Sequence, residues 1–190
     1  MEATLEPMKA GVSETPTLDS ARDRLIVGAR STRTCSEPIA AAMVERGKQI
    51  AVLCGRERVL DLYDTTTLKR LERVGAGIGP TALATNGVEL LYVTDVLGNA
   101  LLVYHTRPFE FIRRVHLGGG PYAIAYDRGH WGLWIALVGS NRLVNYAAGA
   151  RPVPRAEFPS IRNAREVIPA GATITVRSET ETQVVRRRSK

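Results

Sequence analysis

Hydrophobic and polar positions alternate along this chain in short runs that are separated by turn residues. Between Pro80 and Gly120, four apolar runs of about five to eight residues are interrupted at Asn86-Gly87, at Leu97-Gly98-Asn99 and at Arg107-Pro108. Apolar runs of this length, bounded by glycine, asparagine and proline, predict β-strands joined by tight turns. The segment therefore predicts an antiparallel meander of four strands.

The same pattern recurs on both sides of this segment. One landmark is a proline that recurs after 42 and 41 residues: Pro38, Pro80 and Pro121. A second landmark is a tyrosine that recurs after 41 and 42 residues: Tyr63, Tyr104 and Tyr146. A period of about 40–45 residues with four strands in each unit is typical of the blades of a β-propeller.

Three stretches of the repeat resemble a known family. Leu91-Tyr92-Val93-Thr94-Asp95 resembles the L-Y-V-T-N core of the YVTN-type β-propeller repeat, with aspartate where asparagine is usual. Gly119 to Asp127 resembles the G-x-x-P-x-x-I-A-x-D start of that repeat, and Leu18 to Val27 is similar to its passage from first to second strand. The resemblance covers roughly Pro38 to Asn163, about two thirds of the chain. It implies a propeller scaffold.

The prediction is thus an all-β fold: a β-propeller of about four blades with four antiparallel strands per blade. The predicted parts are a flexible segment at 1–24, blades at about 38–79, 80–120, 121–162 and 163–186, and a basic tail at 187–190. The last unit contains only three strand-like runs, so we expect a strand at Leu25–Ala29 to complete this blade and close the ring. A dimer that shares one ring and a fragment of a larger propeller are the alternatives.

Charge and hydropathy limit the partners and the compartment. The net charge of +7 includes four charges from the C-terminal tail: Arg186, Arg187, Arg188 and Lys190. No aromatic residue alternates with these charges, so nucleic-acid binding is not expected and a solvated tail is. No apolar stretch is long enough to span a bilayer. The N-terminus lacks the basic start and apolar core of a secretory signal, which predicts a cytoplasmic protein as the sequence is written, or an exported one if the true N-terminus is missing.

The two cysteines, Cys35 and Cys54, do not form a CxxC pattern. In a reducing cytoplasm we expect them to be free thiols, whereas in an exported protein they could form a disulfide.

The pattern of chemically active residues predicts no catalytic residues, no metal site and no cofactor. The three histidines occupy different positions of their repeats, so they do not converge on one axis: His105, His116 and His130. The glycine-rich stretches at 75–79 and 118–120 lead into strands rather than helices, which predicts turns between blades instead of phosphate loops. The repeated tyrosines are expected to pack between neighbouring sheets.

Candidate binding residues lie in the turns between second and third strands and in the connections between blades, which meet on one face of a propeller. The predicted set is Arg56, Arg58, Asn99, Tyr122, Asn141 and Arg142. These residues would suit a protein partner or a small anionic ligand, although they would equally serve as ordinary turn formers.

The predicted function is therefore that of a non-enzymatic binding or scaffold module that contacts its partner through this loop-rich face, as a monomer or as a blade-sharing dimer. The family resemblance also permits a lactonase-like or quinoprotein-like enzyme, and a truncated piece of a larger propeller is a further alternative.

Overall fold

Eighteen strands form five antiparallel sheets in the computed structural model, which describes residues 15–187. Sheet 1 contains β1 (Thr17–Asp19), β2 (Arg24–Val27) and β3 (Arg30–Arg33). Sheet 2 contains β4 (Pro38–Val44), β5 (Gln49–Cys54), β6 (Val59–Asp64) and β7 (Arg70–Gly75). Sheet 3 contains β8 (Pro80–Thr85), β9 (Leu90–Asp95), β10 (Ala100–Thr106) and β11 (Phe109–His116). Sheet 4 contains β12 (Pro121–Asp127), β13 (Gly132–Leu137), β14 (Arg142–Ala147) and β15 (Val153–Pro159). Sheet 5 contains β16 (Glu166–Ala170), β17 (Thr173–Arg177) and β18 (Thr182–Arg186).

Each sheet is a meander in which strands that follow one another in sequence are also neighbours in space. The first strands of sheets 2 to 5 pack side by side in the order β4, β8, β12 and β16, and β1 of sheet 1 packs beside β4. The sheets therefore stack side by side with their first strands innermost, which is the arrangement of propeller blades. The predicted all-β propeller fold is confirmed.

Strand burial explains the sequence pattern. The second strands are enclosed by a sheet on each face, so β5, β9 and β13 are apolar along nearly their whole length. Successive residues then face opposite neighbours: Leu91 and Val93 pack against sheet 2, whereas Tyr92 packs against sheet 4. The repeated tyrosines pack between sheets as predicted, Tyr63 towards sheet 1 and Tyr104 towards sheet 2.

The prediction for the N-terminal strand is wrong. Leu25 lies in β2 and pairs with Leu18 in β1 and Thr32 in β3. The last strand of the blade that it was expected to complete is β18, which pairs with β17 alone among the described strands. A four-residue turn joins β1 to β2, and closing so short a loop costs less entropy than bringing together strands about 160 residues apart. Residues 15–187 thus form three complete four-stranded sheets, with the three-stranded sheet 1 before them and the three-stranded sheet 5 after them.

Two predicted segments lie partly outside the described residues. Of the segment predicted to be flexible, residues 1–14 are outside, while Thr17–Asp19 forms β1. Of the predicted basic tail, residues 188–190 are outside, while the Arg187 side chain is only 15% exposed. Within residues 15–187, no helix has the length and apolarity required to cross a bilayer.

Candidate functional site

One end of the stacked sheets carries the turns between second and third strands together with the connections between sheets. We call this end the loop face; it comprises residues 20–23, 34–37, 55–58, 76–79, 96–99, 117–120, 138–141, 160–165 and 178–181. The turn 20–23 joins β1 to β2, and its Asp23 carbonyl accepts from the amide of Thr34. Backbone hydrogen bonds join each turn to the connection that follows it: the amide of Ala76 donates to the carbonyl of Arg58, that of Leu117 to Asn99 and that of Ser160 to Asn141. The loop face is therefore a set of cross-linked turns.

Asp95 holds the centre of this face. Its side chain is fully buried, and Oδ1 accepts hydrogen bonds from the amides of Gly79 at 2.8 Å and Gly98 at 3.0 Å. Oδ2 accepts a longer bond of 3.3 Å from the amide of Ile78. The carboxylate thus ties the connection that precedes β8 to the turn that follows β9. A Cβ on Gly98 would lie 2.1 Å from Asp95 Oδ2, so the close approach requires glycine there.

A disulfide occupies the equivalent position of sheet 2. Cys54 ends β5 as Asp95 ends β9, and it is bonded to Cys35, whose Cα lies 6.0 Å away in the connection between sheets 1 and 2. Both cysteines are buried. The expectation of free thiols is wrong, because the fold brings the connection directly against the end of β5.

Three of the predicted site residues have a clear backbone role. Arg58, Asn99 and Asn141 occupy the same position of their turns, with φ of 55°, 50° and 52°. Their carbonyls accept the cross-linking bonds described above, and Asn99 Oδ1 also accepts from the amide of Gly120 at 3.0 Å. Asparagine tolerates this left-handed conformation well, whereas arginine adopts it less readily.

The other three predicted residues differ in their availability to a ligand. Tyr122 is half-buried, and the guanidinium of Arg165 stacks on its ring with 4.2 Å between Cζ and the centroid. Arg142 forms an ion pair with Glu157. Arg56 is exposed, and the described residues contain no acidic partner for it. The structure does not gather all six residues into one pocket.

Below the turn that carries Arg56 and Arg58 lies an ionic network. Arg73 donates to the fully buried Asp61, from Nε at 2.6 Å and from NH2 at 2.8 Å, and it also donates to Glu57 at 2.8 Å. The amide of Ser36 donates to Glu57 at 2.7 Å, and this bond, followed by the charge of Arg73, lowers the pKa of Glu57. The network pairs the negative charge of Glu57 with Arg73, so the positive charges of Arg56 and Arg58 in the same turn are not compensated by Glu57.

One group of possible metal ligands exists among residues 15–187: Cys35, Cys54 and Asp61, whose ligand atoms lie within 4.8 Å of one another. The two sulfur atoms are bonded to each other and Arg73 holds the carboxylate, so these atoms are already engaged. The histidines do not converge. His105 contacts Glu89 at 3.5 Å, and His130 contacts Asp127 at 3.3 Å in a different sheet.

The end opposite the loop face contains a cleft between sheets 4 and 5, which we call the sheet 4–5 cleft. Its volume is about 1250 Å³. The cleft is lined by His130, Trp134, Asn145, Arg155, Ala156, Glu157, Phe158, Gly171, Ala172 and Arg187. Trp134 and Phe158 pack against each other with 5.8 Å between ring centroids, so an apolar surface lies among cationic side chains.

Asp127 anchors one wall of this cleft. It is 7% exposed and accepts hydrogen bonds from Arg187, from His130 Nδ1 at 3.3 Å and from Trp134 Nε1 at 3.4 Å. Burial acts to raise the pKa of Asp127, but the hydrogen bonds from Arg187, His130 and Trp134 outweigh it, so the pKa is lowered. Arg187 therefore belongs to the folded protein rather than to a solvated tail.

Neither the sheet 4–5 cleft nor the role of Asp95 was predicted from the sequence. We call Asp95 the clamp of the loop face, because it holds the connection 76–79 against the turn 96–99. The alignment of repeats contained a signal for the clamp, since Asp95 and Cys54 occupy equivalent strand ends. The cleft left no such signal, because Asp127 and Arg187 are 60 residues apart and belong to different sheets.

Comparison with known proteins supports the fold. No protein-family model matches the chain, and no curated protein matches it either. Among solved structures, the chain is similar to hydrazine synthase of Kuenenia stuttgartiensis, with a TM-score of 0.69 and 18% identity over 78% of this chain and 46% of that one. It is also similar to a chain of the mitotic checkpoint complex, with a TM-score of 0.74 and 12% identity over 85% and 54%.

A third similar structure is dihydro-heme d1 dehydrogenase NirN, with a TM-score of 0.74 and 15% identity over 90% of this chain and 41% of that one. The chain thus spans about half the length of the propeller proteins that it resembles. Identities this low concern the fold alone, and these proteins include both enzymes and a component of a protein complex. The chain has the β-propeller fold.

Proposed function

We propose that the protein is a non-enzymatic binding or scaffold module that contacts an acidic segment of a protein partner through its loop face. The observation that carries the proposal is the turn 55–58. Arg56 and Arg58 are exposed there, and the neighbouring carboxylate of Glu57 is already paired with Arg73. Two guanidinium groups are thus left for a partner, and guanidinium groups bind carboxylates in a planar, two-bond geometry.

The rigidity of the loop face supports this proposal. The turn 55–58 is fixed on one side by the bond from the amide of Ala76 to the carbonyl of Arg58 and on the other by the disulfide at Cys54. A fixed backbone reduces the entropy lost when a partner is bound. Asn99, Asn141 and Tyr122 shape the neighbouring turns in this proposal, and Arg142 contributes by exchanging Glu157 for a carboxylate of the partner.

We infer in addition that the repeats are of the YVTN type. In support, the threonine of that motif has a structural role: Thr94 Oγ1 donates to the carbonyl of Tyr122 at 3.0 Å and so links sheet 3 to sheet 4. We also propose an oxidising compartment for the protein, because a buried disulfide persists in such an environment.

The test is a charge reversal with a matched control. The variant Arg56→Glu/Arg58→Glu reverses two charges on the loop face, and Arg46→Glu/Lys48→Glu reverses two exposed charges at the opposite end of the same sheet. Binding of a fluorescein-labelled hexaglutamate peptide is measured by anisotropy at low and at physiological salt. We expect the loop-face variant to weaken binding about tenfold or more, and the control about twofold at most.

Equal binding by both variants would contradict the proposal. A screen for lactone hydrolysis on the same protein separates binding from catalysis: turnover that follows protein concentration and survives repurification would favour the enzymatic alternative.

A further inference from the structure

Sheet 5 ends in a strand with one free edge. β18 pairs with β17 on one side, and none of the strands described between residues 15 and 187 pairs with its other side. Sheets 2, 3 and 4 each have a fourth strand at this position: β7, β11 and β15. The edge of β18 is thus the place in the fold where a further strand fits.

The backbone groups of β18 have a defined direction. In an antiparallel ladder, alternate residues direct their N–H and C=O groups to opposite neighbours. The amide of Arg187 donates to the carbonyl of Ala172, on the β17 side, at 3.0 Å. Thr182, Val184 and Arg186 have the opposite phase, so their backbone groups point away from β17. Sheet 4 supports this assignment, because alternate residues of its third strand, β14, bond to β13 and the residues between them bond to the fourth strand, β15.

An apolar surface lies beside this edge. Trp134 and Phe158 line the sheet 4–5 cleft, on the face of sheet 5 to which Val185 of β18 also turns. Val184 is 59% exposed on the opposite face of β18. The complete sheets show how a fourth strand fills such a space, since β11 places Phe109 in the core that sheet 3 shares with sheet 2. An apolar side chain on a strand paired with β18 would enter the sheet 4–5 cleft in the same way.

The charges around the cleft indicate what else the strand would carry. Arg155 and Arg187 line the cleft, whereas Arg186 is exposed on the opposite face of β18. The two nearby carboxylates are already paired, Asp127 with Arg187 and Glu157 with Arg142. Arg187 Nε is buried and has no hydrogen-bond partner among the described residues. A buried donor without an acceptor is unfavourable, and a carboxylate from outside would satisfy it.

The free edge of β3 in sheet 1 provides a contrast. β3 carries only polar and charged residues, and Arg30 donates from this strand to the backbone carbonyls of Thr65 and Thr66. Charged edge strands of this kind resist pairing with other chains. The β18 edge, with its exposed valine and adjoining cleft, lacks this protection.

We propose that the β18 edge and the sheet 4–5 cleft form a docking site for an extended segment of a partner protein. The segment adds to β18 as an antiparallel fourth strand, and those of its residues that face the cleft, at every second position, include both apolar and acidic ones. Main-chain hydrogen bonds to Thr182, Val184 and Arg186 hold it, its apolar side chains pack on Trp134 and Phe158, and its carboxylates pair with arginines of the cleft. This site is independent of the loop face.

The first experiment removes the backbone N–H donor at the centre of the β18 edge. Val184→Pro abolishes the outward amide of β18, and Ser31→Pro is the matched control because the amide of Ser31 likewise points away from its neighbouring strand, at the edge of β3. The probe is a fluorescein-labelled octapeptide in which threonine alternates with valine or glutamate, Thr-Val-Thr-Glu-Thr-Val-Thr-Glu, so that valine and glutamate share one face of the strand. Its binding to the full chain is measured by anisotropy. We expect Val184→Pro to weaken binding about tenfold and Ser31→Pro about twofold at most.

A second variant keeps the test valid if Val184→Pro does not fold. Arg155→Glu should lose affinity for the valine–glutamate peptide and gain affinity for a valine–lysine peptide of the same length. In a Trp131→Phe background, Trp134 is the single tryptophan, so its emission should change when the peptide binds to the cleft.

Three results would overturn the proposal. The first is equal peptide binding by wild type and a folded Val184→Pro variant, or unchanged charge preference in Arg155→Glu. The second is self-association of the wild type that Val184→Pro abolishes, because the edge would then serve a second copy. The third is loss of binding in the loop-face variant Arg56→Glu/Arg58→Glu with retention in Val184→Pro, which would place the peptide on the loop face.

Discussion

Asp95 offers the sharpest test of how the loop face is held together. Asp95→Ala removes a buried carboxylate that accepts two short backbone hydrogen bonds, from the amides of Gly79 and Gly98, and a longer one from Ile78. A hydrogen bond to a charged group contributes about 1.5–3 kcal/mol, and the amides left behind have no other acceptor nearby. We expect the free energy of unfolding to fall by about 3–5 kcal/mol.

Asp95→Asn tests the contributions of the two carboxylate oxygens to stability separately. The amide oxygen of asparagine can retain the bonds from Gly79 and Gly98 in the place of Oδ1, but both become weaker bonds to a neutral acceptor, and the NH2 group then faces the N–H of Ile78, which is also a donor. The expected loss is about 2 kcal/mol. Urea unfolding followed by circular dichroism measures both variants, and the product of the slope and the midpoint shift gives the free-energy change.

Glu166→Gln is the control for Asp95, because Glu166 pairs with Arg177 on the surface with both side chains 53% exposed. Its loss should remain under about 0.5 kcal/mol. An Asp95→Ala protein as stable as this control would refute the clamp. Equal losses in Asp95→Ala and Asp95→Asn would show that Oδ1 is not the principal acceptor.

Three further predictions follow from the contacts. Replacing both Cys35 and Cys54 by serine should lower the free energy of unfolding by about 2–4 kcal/mol in urea, and no change would mean that the bond adds nothing to the fold. Because the folded pKa of Asp127 lies below the unfolded value of about 3.9, its stabilisation is present above that pH and is lost as the pH falls through the folded pKa; Arg187→Gln should weaken this dependence in acid melting curves, and an unchanged curve would contradict it. Burial, followed by the charge of Asp61, raises the pKa of Tyr63 to about 12, so the unfolded state ionises first and stability should fall as the pH rises above about 10, an effect that Tyr63→Phe should reduce.

The sequence predicted those parts of the fold that depend on local pattern. The period set by Tyr63 and Tyr104 placed the strands of the complete sheets, because burial on both faces of the second strand and tight turns between strands impose a recognisable pattern. Leu25 was assigned to the wrong sheet, although the likeness of residues 18–27 to a passage from first to second strand already indicated a local pair. An apolar strand by itself does not specify its partner.

The candidate site was harder to predict. The turn residues Asn99 and Asn141 were found because left-handed turns favour asparagine, but this same property gives them a structural explanation. The ion pair of Arg187 with Asp127 depends on how sheets 4 and 5 pack, and no periodicity in the sequence reports that packing. The charge of residue 187 was visible in the sequence, whereas its burial was not.

The connection between successive sheets is secured by different chemistry at each repeat. In sheet 2 the strand end carries Cys54 and a covalent bond, and in sheet 3 it carries Asp95 and charge-assisted hydrogen bonds. In sheet 4 it is apolar, and only backbone bonds hold the connection: the amide of Val138 donates to the carbonyl of Gly120, as the amides of Gly55 and Val96 donate to Glu37 and Gly79 in sheets 2 and 3. The backbone bond is thus common to the three sheets, whereas the side chains at the strand end are unrelated. The shared requirement is geometric, because each connection has to be held against the turn that follows the second strand of its sheet. The loop face is therefore held in place at each repeat, whereas β18 is a third strand with no fourth strand beside it among residues 15–187, so a partner that adds a strand to sheet 5 would use this edge.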